Sequence, residues 1–299
     1  MNIVITGSLG HIGRPLTEAL VRDGHRVTVV SRSPARATDI GTLGAAAAIG
    51  TLDDQPFLTE TFARADAAFL MVPPNFGEQD QIAYYRRVAE RYRAAVRDAG
   101  VSRAVYLSSY GAHLPKDTGF ILGAYHGETI LGNLEEVSIT YLRAGYFYYN
   151  LLNFAGVIRA AGRIVSNYGG DDLLPLVDPR DIAAAAAEEL IRPQGNTIRY
   201  VVSEEASASQ VARVLGAAIG LPELTWQAVP DDAVLAGMTQ NGVPEHIARE
   251  FVALGSAMHR GVLTEHYVKH RPDTLGIHKL KEFAAEFARA YAQGTVGHE

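Results

Sequence analysis

The chain has 299 residues, 47% hydrophobic and 20% charged, with a net charge of −6 and no cysteine. That length accommodates one large α/β domain, or a core with a second lobe grafted onto it. The acidic balance argues against general affinity for nucleic acid or anionic membranes, and the missing cysteines exclude disulfides, zinc–thiolate sites and a cysteine nucleophile.

Met1-Asn2-Ile3-Val4-Ile5 runs directly into a glycine loop, with no charged and apolar leader before it. The longest apolar run, residues 182–187, is far short of the roughly 20 residues that span a bilayer. A cytoplasmic protein without membrane association is expected. Residues 3–5, 26–30, 46–49, 67–72 and 104–107 read as buried strands. None shows the in/out alternation of a half-exposed sheet, so a parallel sheet covered on both faces is predicted. Between the last two, Ile82, Tyr85, Ala89, Tyr92, Val96 and Ala99 recur at helical spacing, with Arg86, Arg93 and Arg97 pointing away. Gly100 closes this helix. Its outer face reads as solvated surface, and a homodimer through it is the other arrangement such a helix allows.

A helical stretch over 125–134 and a strand over 137–142 follow. Beyond residue 150 the pattern gives a helix over 181–191, a strand over 197–202, and helices over 207–219, 244–258 and 280–292. The predicted fold class is α/β, a Rossmann-type doubly wound parallel sheet with a smaller, mostly helical C-terminal lobe. The core is expected over 1–150, with 163–203 returning to it, and the substrate-binding lobe over 204–299.

Thr6-Gly7-Ser8-Leu9-Gly10-His11-Ile12-Gly13 follows the first strand and opens the first helix, the context that gives a glycine motif its meaning. Gly7 permits a tight turn, Gly10 lets the backbone approach a diphosphate, and Gly13 lets the helix pack close to the sheet. The helix N-terminus supplies the anion site. The spacing is G-x-x-G-x-x-G, and no Gly-Lys-Ser/Thr follows that would make it a phosphate-binding P-loop. Sites for NAD place an acid about 20 residues on, to hold the ribose hydroxyls. Here the second strand ends in Ser31-Arg32-Ser33-Pro34-Ala35-Arg36, with no acid before Asp39. A guanidinium pairs with a 2′-phosphate that a carboxylate would repel. Ser31, Arg32 and Arg36 are the expected readers, and NADPH the expected cofactor.

With these residues, the sequence resembles the NmrA-like branch of the atypical short-chain dehydrogenases/reductases over nearly its whole length. The resemblance rests on residues 6–13 and 31–36, on Leu107-Ser108-Ser109 followed by Gly111-Ala112, and on Tyr141-Leu142-Arg143. It extends through the aromatic run to Asn150 and through residues 177–183. It implies a nucleotide-binding core with a C-terminal substrate lobe, and places the loop 72–76 beside the nicotinamide ribose. Val72, Pro73 and Ser108 are assigned to the cofactor on this basis. Relatives often hold adenine with an acid near the end of the third strand. Thr51 stands there, which leaves Asp53 as its replacement, or Leu52 and the backbone.

Typical short-chain dehydrogenases move a proton through Tyr-x-x-x-Lys, whose Lys lowers the Tyr pKa. The only Lys before Lys269 is Lys116, with Ala112 four residues ahead of it. The standard relay is absent. Ser109, Tyr110 and His126 are the candidate substitutes, with Tyr125 and Glu128 beside them. His126 is the one side chain whose free pKa suits proton exchange near neutrality. Tyr146, Phe147, Tyr148 and Tyr149 form either a wall for a flat, apolar substrate or part of the core. Asp178 and Asp181, flanking Pro179, are expected to cap a helix. The scattered histidines of the C-terminal lobe show no ligand pattern, so no metal is proposed. Three readings of function remain open. One is an NADPH-dependent oxidoreductase acting on a quinone, enone or activated ketone, to which the pattern leans. The others are a non-catalytic NADP(H)-binding redox sensor and a biosynthetic isomerase or reductase.

Overall fold

The computed structural model describes residues 1–192 and 197–294. Four residues of the expected returning segment and the last five of the expected lobe lie outside that range. The chain divides into two compact units. The first comprises Met1–Ala112, Gly123–Arg143 and Ile182–Arg199, the second His113–Leu122, Ala144–Asp181 and Tyr200–Glu299.

In chain order the elements begin with β1 (Asn2–Ile5), α1 (Gly13–Arg22), β2 (Arg26–Ser31), α2 (Arg36–Thr42) and β3 (Ala46–Ile49). They continue with α3 (Gln55–Phe62), β4 (Ala67–Leu70), α4 (Gln81–Ala99), β5 (Arg103–Ser109), α5 (Ile121–Leu131) and β6 (Ser138–Ala144). Next come β7 (Tyr146–Phe147), a 3-10 stretch at Tyr148–Phe154, α6 (Ala155–Ala161), β8 (Ile164–Ser166), β9 (Leu173–Val177), α7 (Pro179–Ile191) and β10 (Thr197–Val201). The remainder is β11 (Glu204–Ser207), α8 (Ala208–Ala218), β12 (Trp226–Ala228), α9 (Asp231–Gln240), α10 (Glu245–His259), α11 (Glu265–Lys269) and α12 (Leu280–Gln293).

The main sheet has seven strands in the order β3-β2-β1-β4-β5-β6-β10. β1 pairs parallel with both β2 and β4, β2 with β3, and β4 with β5. This is the doubly wound Rossmann-type arrangement expected from the alternation of strands and helices. The strand order reverses at β1, and such sheets bind ligands at that switch point, beyond the carboxyl ends of the strands. Thr6 and Tyr92 tie it together. The Tyr92 hydroxyl donates to the Met71 carbonyl at 2.6 Å, and the Met71 amide donates to Thr6 Oγ1 at 2.9 Å. Burial pushes the Tyr92 hydroxyl far above its ordinary pKa, so it stays a neutral donor.

Three expectations about the core need correction. β3 is not buried, because it forms the sheet edge. β4 ends at Leu70 rather than at residue 72, where Thr6 takes over the Met71 amide. The buried stripe of α4 is Gln81, Tyr84, Val88, Ala89, Tyr92, Ala95 and Val96, rotated from the expected one. Tyr85 instead covers Gly123 of α5, where an added Cβ would lie 2.6 Å from the Tyr85 ring. Asp80 caps α4 by accepting from the Ala83 amide at 2.8 Å, and Gly100 ends it at φ +69°.

In the second unit, β11-β9-β7 and β12-β8 form small sheets accompanied by helices. Tyr148 is fully buried and stacks on Phe283, with ring centroids 5.5 Å apart. The Asp178 carboxylate accepts the Arg180 amide at 2.8 Å, as a helix-start residue should. Asp181 does not cap. It accepts from Ser203 Oγ at 2.5 Å and from His278 Nδ1 at 2.7 Å, fastening the segment before α12.

Candidate functional site

The glycine loop connects β1 to α1, and each glycine has a different reason to be there. Gly7 has φ +93°, a conformation that L side chains rarely adopt, and a Cβ on it would meet the Met71 sulfur at 2.3 Å. Gly13 is needed for a contact inside the loop: a Cβ would lie 1.9 Å from the Ser8 carbonyl oxygen. The expected close approach is therefore to the loop, not to the sheet, because the chain folds back over the first helical turn. Gly10 is exposed, and a Cβ there would meet nothing closer than the Gly7 carbonyl at 3.9 Å. Its freedom from side-chain bulk serves no packing need of the protein. An open cradle at a helix N-terminus, which a Cβ would fill, fits a diphosphate. α1 adds to this fit, since no side chain caps it and its first turn carries no acid. Leu9 and Ile12 are buried and pin the loop, while His11 is exposed.

Ser8 sits at φ +61°, unusual for a residue with a side chain. Its hydroxyl bonds that of Ser31 at 3.0 Å, and its amide donates to the Val30 carbonyl at 3.0 Å. Ser31 is buried, and its hydroxyl also accepts the Ser33 amide at 3.3 Å. Ser31 thus braces the glycine loop against the end of β2. Arg32 and Arg36 are exposed. Arg36 pairs with Asp39 at 3.5 Å, whereas Arg32 makes no ion pair among the described residues. Leu52 and Val72 belong to a hydrophobic core cluster, Pro73 is half-buried, and Asp53 is exposed. Asp53 accepts Arg87 Nε at 2.8 Å, and Arg87 Nη2 reaches Glu78 at 2.7 Å. Nothing in the sequence separates Arg87 from its neighbours Arg86, Arg91, Arg93 and Arg97.

Ser108 is buried at the end of β5, and its hydroxyl donates to Glu128 Oε1 at 2.5 Å. Arg143, buried at the end of β6, clasps the same carboxylate with Nε at 2.9 Å and Nη2 at 2.6 Å. Two strand ends and α5 are locked by one carboxylate, at the edge of the sheet where ligands bind. α5 lies close to β5 because Gly127 has no side chain: a Cβ would be 2.1 Å from the Tyr106 hydroxyl oxygen. Ser109 is half-buried and Tyr110 buried, in a turn closed by the Ala112 amide donating to the Ser109 carbonyl at 3.0 Å. His126 is half-buried, and burial followed by the nearby Arg86 charge holds its pKa below the ordinary value. It is neutral at pH 7.

In the second unit, the Tyr146 and Tyr168 hydroxyls are 3.1 Å apart, and the rings of Phe147 and Tyr149 are 5.1 Å apart. Tyr148 is core. Among the described residues no cluster of three or more His, Asp or Glu could hold a metal, and no helix is long and apolar enough to cross a membrane.

The family model described as the NmrA-like family matches residues 1–283. The chain belongs to this family. A relative, the NAD(P)H azoreductase of Xenophilus azovorans, is 28% identical, with 97% of this chain and 98% of the relative covered. The (4-alkanoyl-5-oxo-2,5-dihydrofuran-3-yl)methyl phosphate reductase of Streptomyces griseus is also 28% identical, over 97% of this chain and 99% of its own length. Among solved structures, an NADPH-dependent quinone oxidoreductase from Escherichia coli, complexed with NADPH, superposes with a TM-score of 0.80. It is 21% identical and covers 95% of this chain and 99% of its own.

Proposed function

We propose that this NmrA-like protein is an NADPH-dependent reductase that transfers hydride to a flat acceptor, a quinone, enone or activated ketone. One observation carries the cofactor reading: an open glycine cradle at an uncapped helix N-terminus stands beside an exposed Arg32 that no carboxylate among the described residues neutralises. Gly7, Gly10 and Gly13 hold the diphosphate through backbone amides, while Ser8, whose amide is spent on the Val30 carbonyl, keeps the loop in shape. Leu9, His11 and Ile12 shape the loop, and Ser31 fixes it to β2. Arg32, helped by Arg36, binds the 2′-phosphate. Leu52 and Asp53 border adenine, Val72 and Pro73 the nicotinamide ribose, and Ser108 keeps the β5 end in place. Bound NADPH supplies the hydride.

α5 offers no free acid: Tyr125 is followed four residues later by Thr129, the helix contains no lysine, and its one carboxylate, Glu128, is held by Ser108 and Arg143. An acceptor that becomes a stabilised phenolate or enolate needs none, since water can protonate it. The protein then orients the acceptor, with the Ser109 and Tyr110 hydroxyls as donors at the end of β5. His126, neutral at pH 7, serves as an acceptor better than as a donor. Substrate recognition belongs to the second unit, where Tyr146, Phe147 and Tyr149 offer aromatic faces. The relatives named as reductases support the reading.

The test is NADPH oxidation followed by absorbance against a panel of quinones, azo dyes and enones. Turnover with at least one acceptor class is expected. Flat traces with nucleotide binding intact would replace the reductase by a redox sensor.

A further inference from the structure

We propose that Arg87 is a specificity-determining residue: by neutralising Asp53 it keeps Arg32 available to the 2′-phosphate of the bound nucleotide. The inference rests on the NADPH reading above and deepens it. β2 and β3 are adjacent and parallel, with Ser31 opposite Ile49, and the Gly50 amide donates to the Ser31 carbonyl at 3.0 Å. The chain therefore leaves both strands at the same level. It presents Arg32 one residue past the end of β2 and Asp53 four residues past the end of β3.

A carboxylate in that position has two harmful options. It can repel a phosphate directly, or it can pair with Arg32 and occupy the guanidinium meant for the ligand. Asp53 makes no ion pair with Arg32 among the described residues. Asp53 is instead engaged by Arg87, which projects from α4 and holds the carboxylate at 2.8 Å. A second bond at 2.7 Å to Glu78 fixes the same guanidinium from the other side, and its carbon lies 5.4 Å from the Tyr84 ring centroid. Arg87 commits Nε to Asp53 and Nη2 to Glu78. Its effect on the ligand passes through Asp53, which makes it a positioning residue. The Tyr84 hydroxyl, raised first by burial, is then raised by Asp53 and lowered by Arg32 and Arg87. One side chain thus feels all three charges, so they share one neighbourhood.

The experiment is calorimetric titration of the full-length protein with NADP⁺ and with NAD⁺, for the wild type, Arg87→Gln, Arg87→Lys and the double variant Arg87→Gln/Asp53→Asn. Arg87→Gln is expected to weaken NADP⁺ about tenfold and NAD⁺ less than about twofold, a loss of selectivity that follows from one uncompensated charge. The double variant should recover the preference for NADP⁺ over NAD⁺ to within about threefold of wild type, since any loss at the adenine end falls on both nucleotides alike, and Arg87→Lys should keep the preference. Equal loss of both nucleotides in Arg87→Gln, or no recovery on removing the Asp53 charge, would overturn the proposal. If Arg87→Gln does not fold, loss of preference in Arg87→Lys overturns it and retention supports it. A wild type that binds neither nucleotide, or prefers NAD⁺, refutes the cofactor reading and this inference together, whereas a selective wild type whose Arg87→Gln variant keeps the same preference refutes the inference alone.

Discussion

Replacing Gly10 by alanine separates the needs of the fold from the needs of the ligand. Gly10 lacks a positive φ, and the nearest heavy atom to an added Cβ is 3.9 Å away, so the methyl group strains nothing in the protein. Glycine-to-alanine replacement at such a place lowers the entropy of the unfolded chain and stabilises by about 0.4–1 kcal/mol. A gain of that size moves the melting temperature of a chain this long by about 2 °C or less. The ligand fares differently, because the methyl group fills the space into which a diphosphate must come to reach the amides. Losing two hydrogen bonds to a charged group, at about 1.5–3 kcal/mol each, costs at least about 3 kcal/mol, or more than about 100-fold in affinity. Gly13→Ala should behave in the opposite order. Helix propensity favours alanine there by about 0.8–1 kcal/mol, but a Cβ 1.9 Å from the Ser8 carbonyl forces the backbone apart. Overpacking of that kind costs about 1–3 kcal/mol, so the net is a loss of up to about 2 kcal/mol and the variant should melt up to about 4 °C lower. Thermal melts read the first quantity, and titration with NADPH, followed by its fluorescence, the second. A Gly10→Ala protein that binds NADPH within about threefold of wild type would refute the assignment of the diphosphate to this cradle.

Arg32→Ala should weaken NADPH by about 10- to 100-fold, the value of a lost charge-assisted contact, while NADH binding changes less than about threefold. Equal losses in parallel titrations would remove Arg32 as the phosphate reader. Gly127→Ala should cost about 1–3 kcal/mol, because its Cβ would lie 2.1 Å from the hydroxyl oxygen of the fully buried Tyr106. Adding Tyr106→Phe should return part of that loss in denaturant melts, and no return would point to another clash. Burial pushes the Asp178 carboxyl up, yet the hydrogen bonds and charge of Arg180 outweigh it and hold the folded pKa below 3.8. The unfolded chain takes up that proton first, so this stability is complete at neutral pH and is lost as pH falls through the depressed folded pKa. Asp178→Asn should flatten the acid limb of a stability–pH profile below about pH 4, and an unchanged limb would show that other groups set it.

Much of the fold was legible because its signals are local. Short β-branched runs alternating with a 3.6-residue period indicate a parallel sheet wherever they occur. A glycine loop between the first strand and helix indicates where a diphosphate can sit. The helix end at Gly100 follows from the same nearest-neighbour chemistry. The stripe on α4 was misread by part of a turn because Tyr85 satisfies its burial against Gly123, more than 30 residues away, instead of against the sheet.

The amino-acid sequence alone determined the Rossmann-type alternation, the glycine cradle and the basic end of β2, since each depends on residues within a few positions of one another. Only the tertiary structure decided what the charges near that cradle do. Ser31 turns inward to brace Ser8, Arg32 is left exposed, Asp53 is taken by Arg87, and Glu128 is clasped by Ser108 and Arg143. An ion pair forms between whichever groups the fold brings within about 4 Å, and sequence separation carries no information about that distance.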